Sequence, residues 1–260
     1  MDLKLTGKTV LITGASQGIG AGLAKAFAEE GVNLHLTARN ADNLERMRAA
    51  VTETSDVTVH LHPMDLTEPG ACEQLAGLCT GIDILVNNAG AIPGGNLFDI
   101  GEEMWRDGWE LKVFGYINLS RLIYQKMKAH GGGVIINNIG NAGERYDADY
   151  IAGTSGNASL MAFTRALGGR SLDDNIRVVG VNAGPVDTDR IYKLLQHRAE
   201  DWLGDEARYT ELLERYPLKR PAHVHEVVDL IVFLASYRSG YTSGAIFTVD
   251  GGITSRSSII

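Results

Sequence analysis

"TVLITGASQGIG", Thr9–Gly20, runs from a β-branched strand pattern through a glycine cluster into a helix pattern. Three glycines at this spacing do separate jobs. Gly14 permits a tight turn, Gly18 lets the backbone approach a pyrophosphate, and Gly20 allows helix and strand to pack closely. The start of the helix then presents free N–H groups and the positive end of its dipole to an anion. A glycine trio alone marks only a tight turn. Between a clear strand and a clear helix it predicts a phosphate cradle made of Gly14, Ser16, Gln17, Gly18, Ile19 and Gly20.

Outward from this stretch, β-branched runs alternate with helical ones. Strands are expected at residues 9–13, 32–38, in "VTVHLHPMD", "IDILVNNAG" and "GVIINNI", at 176–184 and at 244–252. Helices are expected over 18–30, 41–54 and about 102–130. Strands separated by helices of this length imply right-handed crossovers and a parallel sheet covered on both faces. No Pro/Ser-rich linker and no repeat interrupts the pattern, so residues 1–260 read as one α/β, doubly wound Rossmann-type domain. Ligands of such a sheet bind outside the carboxyl ends of its strands.

Composition narrows the function classes. The chain is 44% hydrophobic and 22% charged, as soluble globular proteins are. A formal net charge of −8 argues against nucleic acid or an anionic membrane as partner. No apolar run approaches the roughly 20 residues that span a bilayer, and the N-terminus enters a strand without the regions of a signal peptide. Two cysteines, Cys72 and Cys79, make no disulfide framework, which points to a reduced, cytoplasmic setting. "HLH" (His60–His62) and "HVH" (His223–His225) read as strand or surface positions. No metal is expected, because no acidic or cysteine partner sits at ligand spacing.

Cofactor type is read after the second strand, where a carboxylate suits a ribose 2′-OH and a basic residue a 2′-phosphate. Ala38-Arg39-Asn40 has no carboxylate and one arginine, which favours NADP over NAD.

"TGxxxGIG", "NNAG" (Asn87–Gly90), "AGPVDT" (Ala183–Thr188) and "DGG" (Asp250–Gly252) together resemble the short-chain dehydrogenase/reductase family. The resemblance covers nearly the whole chain. It implies a seven-stranded sheet, a homodimer or homotetramer, and a dinucleotide along the strand ends. It also implies that Asp65 and Leu66 flank the adenine, and that Asn88, Ala89 and Gly90 line its ribose. Gly184, Val186 and Thr188 would lie at the nicotinamide, with Thr188 holding the amide.

The family usually carries an Asn, a Ser, a Tyr and a Lys, the tyrosine protonating the substrate oxygen as hydride arrives. Aligned on the helix "LMAFTRAL", this chain has Gly153 at the tyrosine position and Asn157 at the lysine position. Gly140 stands at the serine position and Lys112 at the asparagine position. A missing general acid is typically worth ~10²–10⁴ in rate, so an oxidoreductase here needs a substitute. Tyr150, one helical turn before Gly153, is the expected proton donor, with Lys112 on the neighbouring helix as its electrostatic support. Asn138 or Asn141 would replace the serine, and Arg145 is a candidate for a substrate carboxylate or phosphate.

Residues 189–220 form a charge-rich amphipathic insertion, expected to act as a substrate lid with Trp202, Leu203, Tyr209, Leu212 and Leu213 inward. The leading expectation is an NADP(H)-dependent oxidoreductase with a non-standard active site, acting on an unidentified carbonyl or alcohol. The alternatives are a non-catalytic dinucleotide-binding protein, such as a sensor or partner subunit, and a lyase, dehydratase or isomerase on the same fold.

Overall fold

Thr9–Thr13 is a strand, β1, whose last four residues are buried, as a strand covered by helices on both faces requires. It leads into helix α1 (Gly18–Glu29), then β2 (Asn33–Ala38), α2 (Ala41–Thr54), β3 (Val59–Pro63), α3 (Ala71–Leu78) and β4 (Ile84–Asn87). The second half adds α4 (Glu102–Trp109), α5 (Gly115–Ala129), β5 (Gly133–Asn138), α6 (Ile151–Gly168) and β6 (Ile176–Ala183). It closes with α7 (Asp189–Leu203), α8 (Tyr209–Leu213), α9 (Val224–Ala235) and β7 (Ile246–Val249). This is a computed structural model, and it describes residues 1–256.

The seven strands form one parallel sheet in the order β3-β2-β1-β4-β5-β6-β7. The order reverses between β1 and β4, and the crevice above that reversal is where such sheets bind ligands. One core joins α1, α2 and α9 to the sheet through Leu23, Phe27, Leu44, Val228 and Ile231. The other joins α3 and α5 through Leu75, Leu119, Ile123 and Met127. Among the described residues, no helix is long and apolar enough to cross a membrane.

Three local features depart from the sequence pattern. The long helix expected over 102–130 is broken: residues Glu110–Phe114 form a π-helical turn between α4 and α5, and Lys112 sits in it. One extra residue per turn rotates the side chains that follow, a device common at functional sites. The last strand is shorter than expected, because Gly244, Gly251 and Gly252 take positive φ and bend the chain away on either side. Third, the register pairs His35 with His60 and sets His62 two residues on, on the same face. Cys79, at the end of α3, reaches His62 from the other side, its Sγ 3.7 Å from Nε2. Sequence spacing hid that encounter, since the two residues lie 17 apart along the chain.

Arg177 shows how the first core is closed at the end of α9. It is 6% exposed and pairs with no carboxylate among the described residues. Its guanidinium instead donates to the carbonyls of Leu234, Ala235 and Ser236 and to Ser239 Oγ, satisfying the orphan end of α9.

Candidate functional site

The glycine loop is held from below. Thr13 Oγ1 accepts from the N–H groups of Asn88 and Ala89, each at 2.9 Å. Asn88 Nδ2 donates to the carbonyls of Thr13 and Gly14, and its Oδ1 accepts from Asn138 Nδ2 at 2.8 Å. The ends of β1, β4 and β5 are thereby tied into one platform. Gly14 has φ +66°, and a Cβ there would lie 3.0 Å from Ala89 Cα. At Gly20 a Cβ would collide with the Gly14 carbonyl, so Gly20 serves helix–strand packing, as its position in the sequence implies. Gln17, before α1, supplies no side-chain cap, which leaves the first-turn amides open to an anion.

Above this platform lies a cleft of about 1440 Å³. Of the expected cofactor residues it brings together Gly14, Ser16, Gln17, Gly18, Ile19, Ala38, Arg39, Asp65 and Leu66. Asn88, Ala89, Gly90, Gly184, Val186 and Thr188 line it as well. Three assignments change. Gly20 lies outside the lining and serves the packing of helix on strand. Asn40 is absent from the lining; its Oδ1 accepts from Asn43 N–H at 2.8 Å and caps α2. Asn88 faces the cleft, but its amide is committed to the platform. Arg39 lies 3.8 Å from Asp65, with three quarters of its side chain exposed. Asp65 Oδ1 meanwhile holds the Thr67 N–H and hydroxyl.

At the far end of the cleft, the Tyr150 ring fills the space that a side chain at Gly153 would occupy. A Cβ there would overlap the ring carbons and stand 2.6 Å from the hydroxyl oxygen. Backbone hydrogen bonds between Gly95 and Asp149 and between Ile151 and Gly95 hold this loop to the segment after β4. Trp109 Nε1 donates to Ala152 O at 3.0 Å and fixes the first turn of α6. Gly156 faces Ile92, Trp109 and Val113 at 3.2 Å from a hypothetical Cβ. Both glycines at the weak start of α6 therefore give way to aromatic neighbours.

The cation beside Tyr150 is Arg190, in the first turn of α7. It donates to the Tyr150 hydroxyl at 3.3 Å and to the carbonyls of Gly90 and Ile92. Burial pushes the Tyr150 phenol above its ordinary range, while the charge and hydrogen bond of Arg190 pull it back. Sequence reasoning missed Arg190; its place two residues after Thr188, at a strand-end loop, was the available signal. The expected Tyr150–Lys112 pair is corrected accordingly. Lys112 lines the same cleft, but its ammonium donates to Ile139 O and its stem packs on Gly90. Burial, helped by the nearby Arg190, lowers the Lys112 pKa to about 7.

Gly140, at φ +132°, adopts backbone that disfavours any other residue, and a Cβ there would press on Asn157 Nδ2 at 3.0 Å. Asn157 Oδ1 is buried with no hydrogen-bond partner among the described residues, an acceptor suited to a ligand hydroxyl. The serine substitutes are both engaged elsewhere: Asn138 donates to Asn88, and Asn141 to Asp250 at 3.2 Å. In the 189–220 segment, Leu203, Tyr209, Leu212 and Leu213 pack on Ile191, Leu195 and Ala199. Trp202 instead stands half exposed at the cleft, between Arg198 and Arg215 at 5.5 and 5.7 Å from its ring centre. Arg145 also lines the cleft.

A family model described as enoyl-(acyl carrier protein) reductase matches residues 14–254. The oxidoreductase UcpA of Salmonella typhimurium is 33% identical over 255 residues, covering 96% of each chain. The 7alpha-hydroxysteroid dehydrogenase of Escherichia coli is 29% identical over the same length, again covering 96% of each. Among solved structures, L-sorbose reductase from Gluconobacter frateurii, complexed with NADPH and L-sorbose, superposes with a TM-score of 0.90 at 32% identity. That match covers 99% of this chain and 100% of the other.

Proposed function

The chain belongs to the short-chain dehydrogenase/reductase family, and from that premise we propose that it is an NADP(H)-dependent oxidoreductase of a carbonyl or alcohol whose proton donor has moved from position 153 to Tyr150. The observation that carries this reading is the Tyr150 hydroxyl set in the cleft, 3.3 Å from Arg190, its ring occupying the side-chain space that Gly153 leaves. The bound coenzyme would supply or accept the hydride. Its diphosphate suits the open amides and glycines of Gly14–Gly20, its 2′-phosphate Arg39, and its adenine Asp65 and Leu66. A ribose hydroxyl suits the orphan acceptor of Asn157.

The chain's own residues handle the proton. Tyr150, kept protonated by burial, donates its phenolic proton to the oxygen of the reduced carbonyl. Arg190 then stabilises the phenolate that is left, and in the reverse direction that phenolate is the base. A charge-assisted hydrogen bond of this kind is about twice as strong as a neutral one. Residues 189–220 act as the lid, since they carry both Arg190 and the Trp202 side of the cleft. Assembly as a homodimer or homotetramer belongs to the same reading.

The test is coenzyme titration followed by turnover. NADPH is expected to bind in the wild type and in Tyr150→Phe alike, with reduction of a carbonyl panel slowed ~10²–10⁴-fold in the variant. Wild-type rates in Tyr150→Phe would remove the relocated donor. NADPH binding with no turnover on any substrate would favour a dinucleotide-binding protein without catalysis.

A further inference from the structure

Away from the cleft, the pairing of β2 with β3 stacks His35 between His60 and His62, with ring centres 4.7 and 5.1 Å apart. His35 Nδ1 and His62 Nε2 lie 2.9 Å from each other and share a proton. Cys79 Sγ approaches the same Nε2 at 3.7 Å. All three potential ligand atoms fall within 4.8 Å of one another. His35 and Cys79 are buried, and His62 is partly exposed.

We propose that His35, His62 and Cys79 form a binding site for a borderline divalent cation of the zinc type. Zinc with N and S ligands takes about 2.0–2.1 Å to nitrogen and about 2.3 Å to sulfur. A tetrahedron of those bonds sets ligand atoms roughly 3.3–3.7 Å apart. The Cys79–His62 edge already fits at 3.7 Å, while the Cys79–His35 separation lies within 4.8 Å. The two imidazoles need to part by only about half an ångström as the metal replaces their shared proton. Solvent, entering beside His62, completes the coordination.

The donor set selects the metal. Two imidazoles and a thiolate suit zinc, cobalt or copper and disfavour magnesium or calcium. The surroundings prepare the ligands unequally. Burial and the neighbouring histidines hold His35 neutral, with a pKa of about 4, so its lone pair is available. Burial pushes the Cys79 thiol up to about 12, so binding must displace that proton too. The nearest facing cation is Lys126, which anchors the Cys79 carbonyl at 3.0 Å and favours the thiolate. Occupation would join the edge strand β3 and its neighbour β2 to the end of α3.

Cobalt(II) is the probe, because a cysteine thiolate bound to it gives a near-ultraviolet charge-transfer absorption. The coenzyme-free protein is expected to bind one Co(II) per chain with that absorption, to lose the metal to Zn(II), and to melt a few degrees higher with zinc present. Cys79→Ser should abolish the absorption. His62→Gln, at a partly exposed position that spares the core, should weaken binding at least tenfold. Replacing His223 and His225, the other close pair (5.6 Å between ring centres), should leave the spectrum unchanged. A wild type lacking the absorption at saturating Co(II), or a folded His62→Gln with wild-type affinity, would overturn the site.

Discussion

Tyr150 and Gly153 share one space: the tyrosine ring lies where the side chain of residue 153 would begin. The glycine that makes α6 start weakly is thus the condition for the tyrosine's position. Gly153→Ala is predicted to expel the ring and to slow turnover ~10²–10⁴-fold, as loss of a general acid does, with NADPH binding unchanged. Alanine favours the helix by about 1 kcal/mol, so any fall in melting temperature measures the clash itself. An alanine variant that turns over at the wild-type rate would separate Tyr150 from the chemistry.

Arg190 sets the protonation of Tyr150. Burial raises the phenol and the arginine lowers it, so Arg190→Met should raise it further. In alcohol oxidation the phenolate is the active form, so the rising limb of the pH–rate profile, where the phenol loses its proton, should move to higher pH. Arg190→Lys should restore most of the shift, because the charge is kept while the bidentate hold on Gly90 and Ile92 is lost. An unmoved limb in Arg190→Met would show that another group titrates there.

Arg39 is the handle for coenzyme choice. Its contact with Asp65, at 3.8 Å and mostly exposed, is worth little and leaves the guanidinium available. Arg39→Ala is predicted to weaken NADPH about 10–100-fold, the worth of a charged hydrogen bond, and to leave NADH alone. Fluorescence titration with both coenzymes decides it. Equal losses for the two would place Arg39 outside 2′-phosphate recognition.

The sequence made the sheet and phosphate loop legible because both depend on local signals. β1 stops at Gly14, α1 opens at Gly18, and the helix–strand alternation continues to β7. It also exposed the vacated positions Gly140, Gly153 and Asn157. The remainder depends on distance in space. Arg190 reaches Tyr150 from 40 residues along the chain, and Cys79 reaches His62 from 17, so no periodicity could report either. Asn40 had a local explanation as a helix cap before Ala41, but the stronger association with the strand end obscured it. The π turn at Lys112 left no mark, since its residues are those of an ordinary helix.

Stability should hinge on Arg177, a buried cation satisfied by carbonyls at the end of α9. Arg177→Met keeps much of the volume but leaves Ala235 O, and one of Leu234 O and Ser236 O, without a donor, since the single Ser239 hydroxyl can serve only one of that pair. The expected cost is about 2–4 kcal/mol, since one or two buried groups at about 1–3 kcal/mol each lose partners. Urea unfolding measures it, and a change below about 0.5 kcal/mol would mean that water replaces the guanidinium.

Lys112 gives stability a pH dependence of definite sign. Its pKa is about 7 in the folded protein and about 10.4 in an unfolded chain. Below pH 7 both states hold the proton, and the folded state bears the full cost of a charged, desolvated ammonium. Between about pH 7 and 10.4 the unfolded chain binds a proton that the folded one lacks, so stability from this group rises with pH. Lys112→Met removes the group from both states. The variant should therefore exceed the wild type most at pH 6.5, and the difference should shrink steadily by pH 9.5. Urea midpoints at three pH values measure that difference, and parallel curves would show that the ammonium stays charged where it meets Ile139 O.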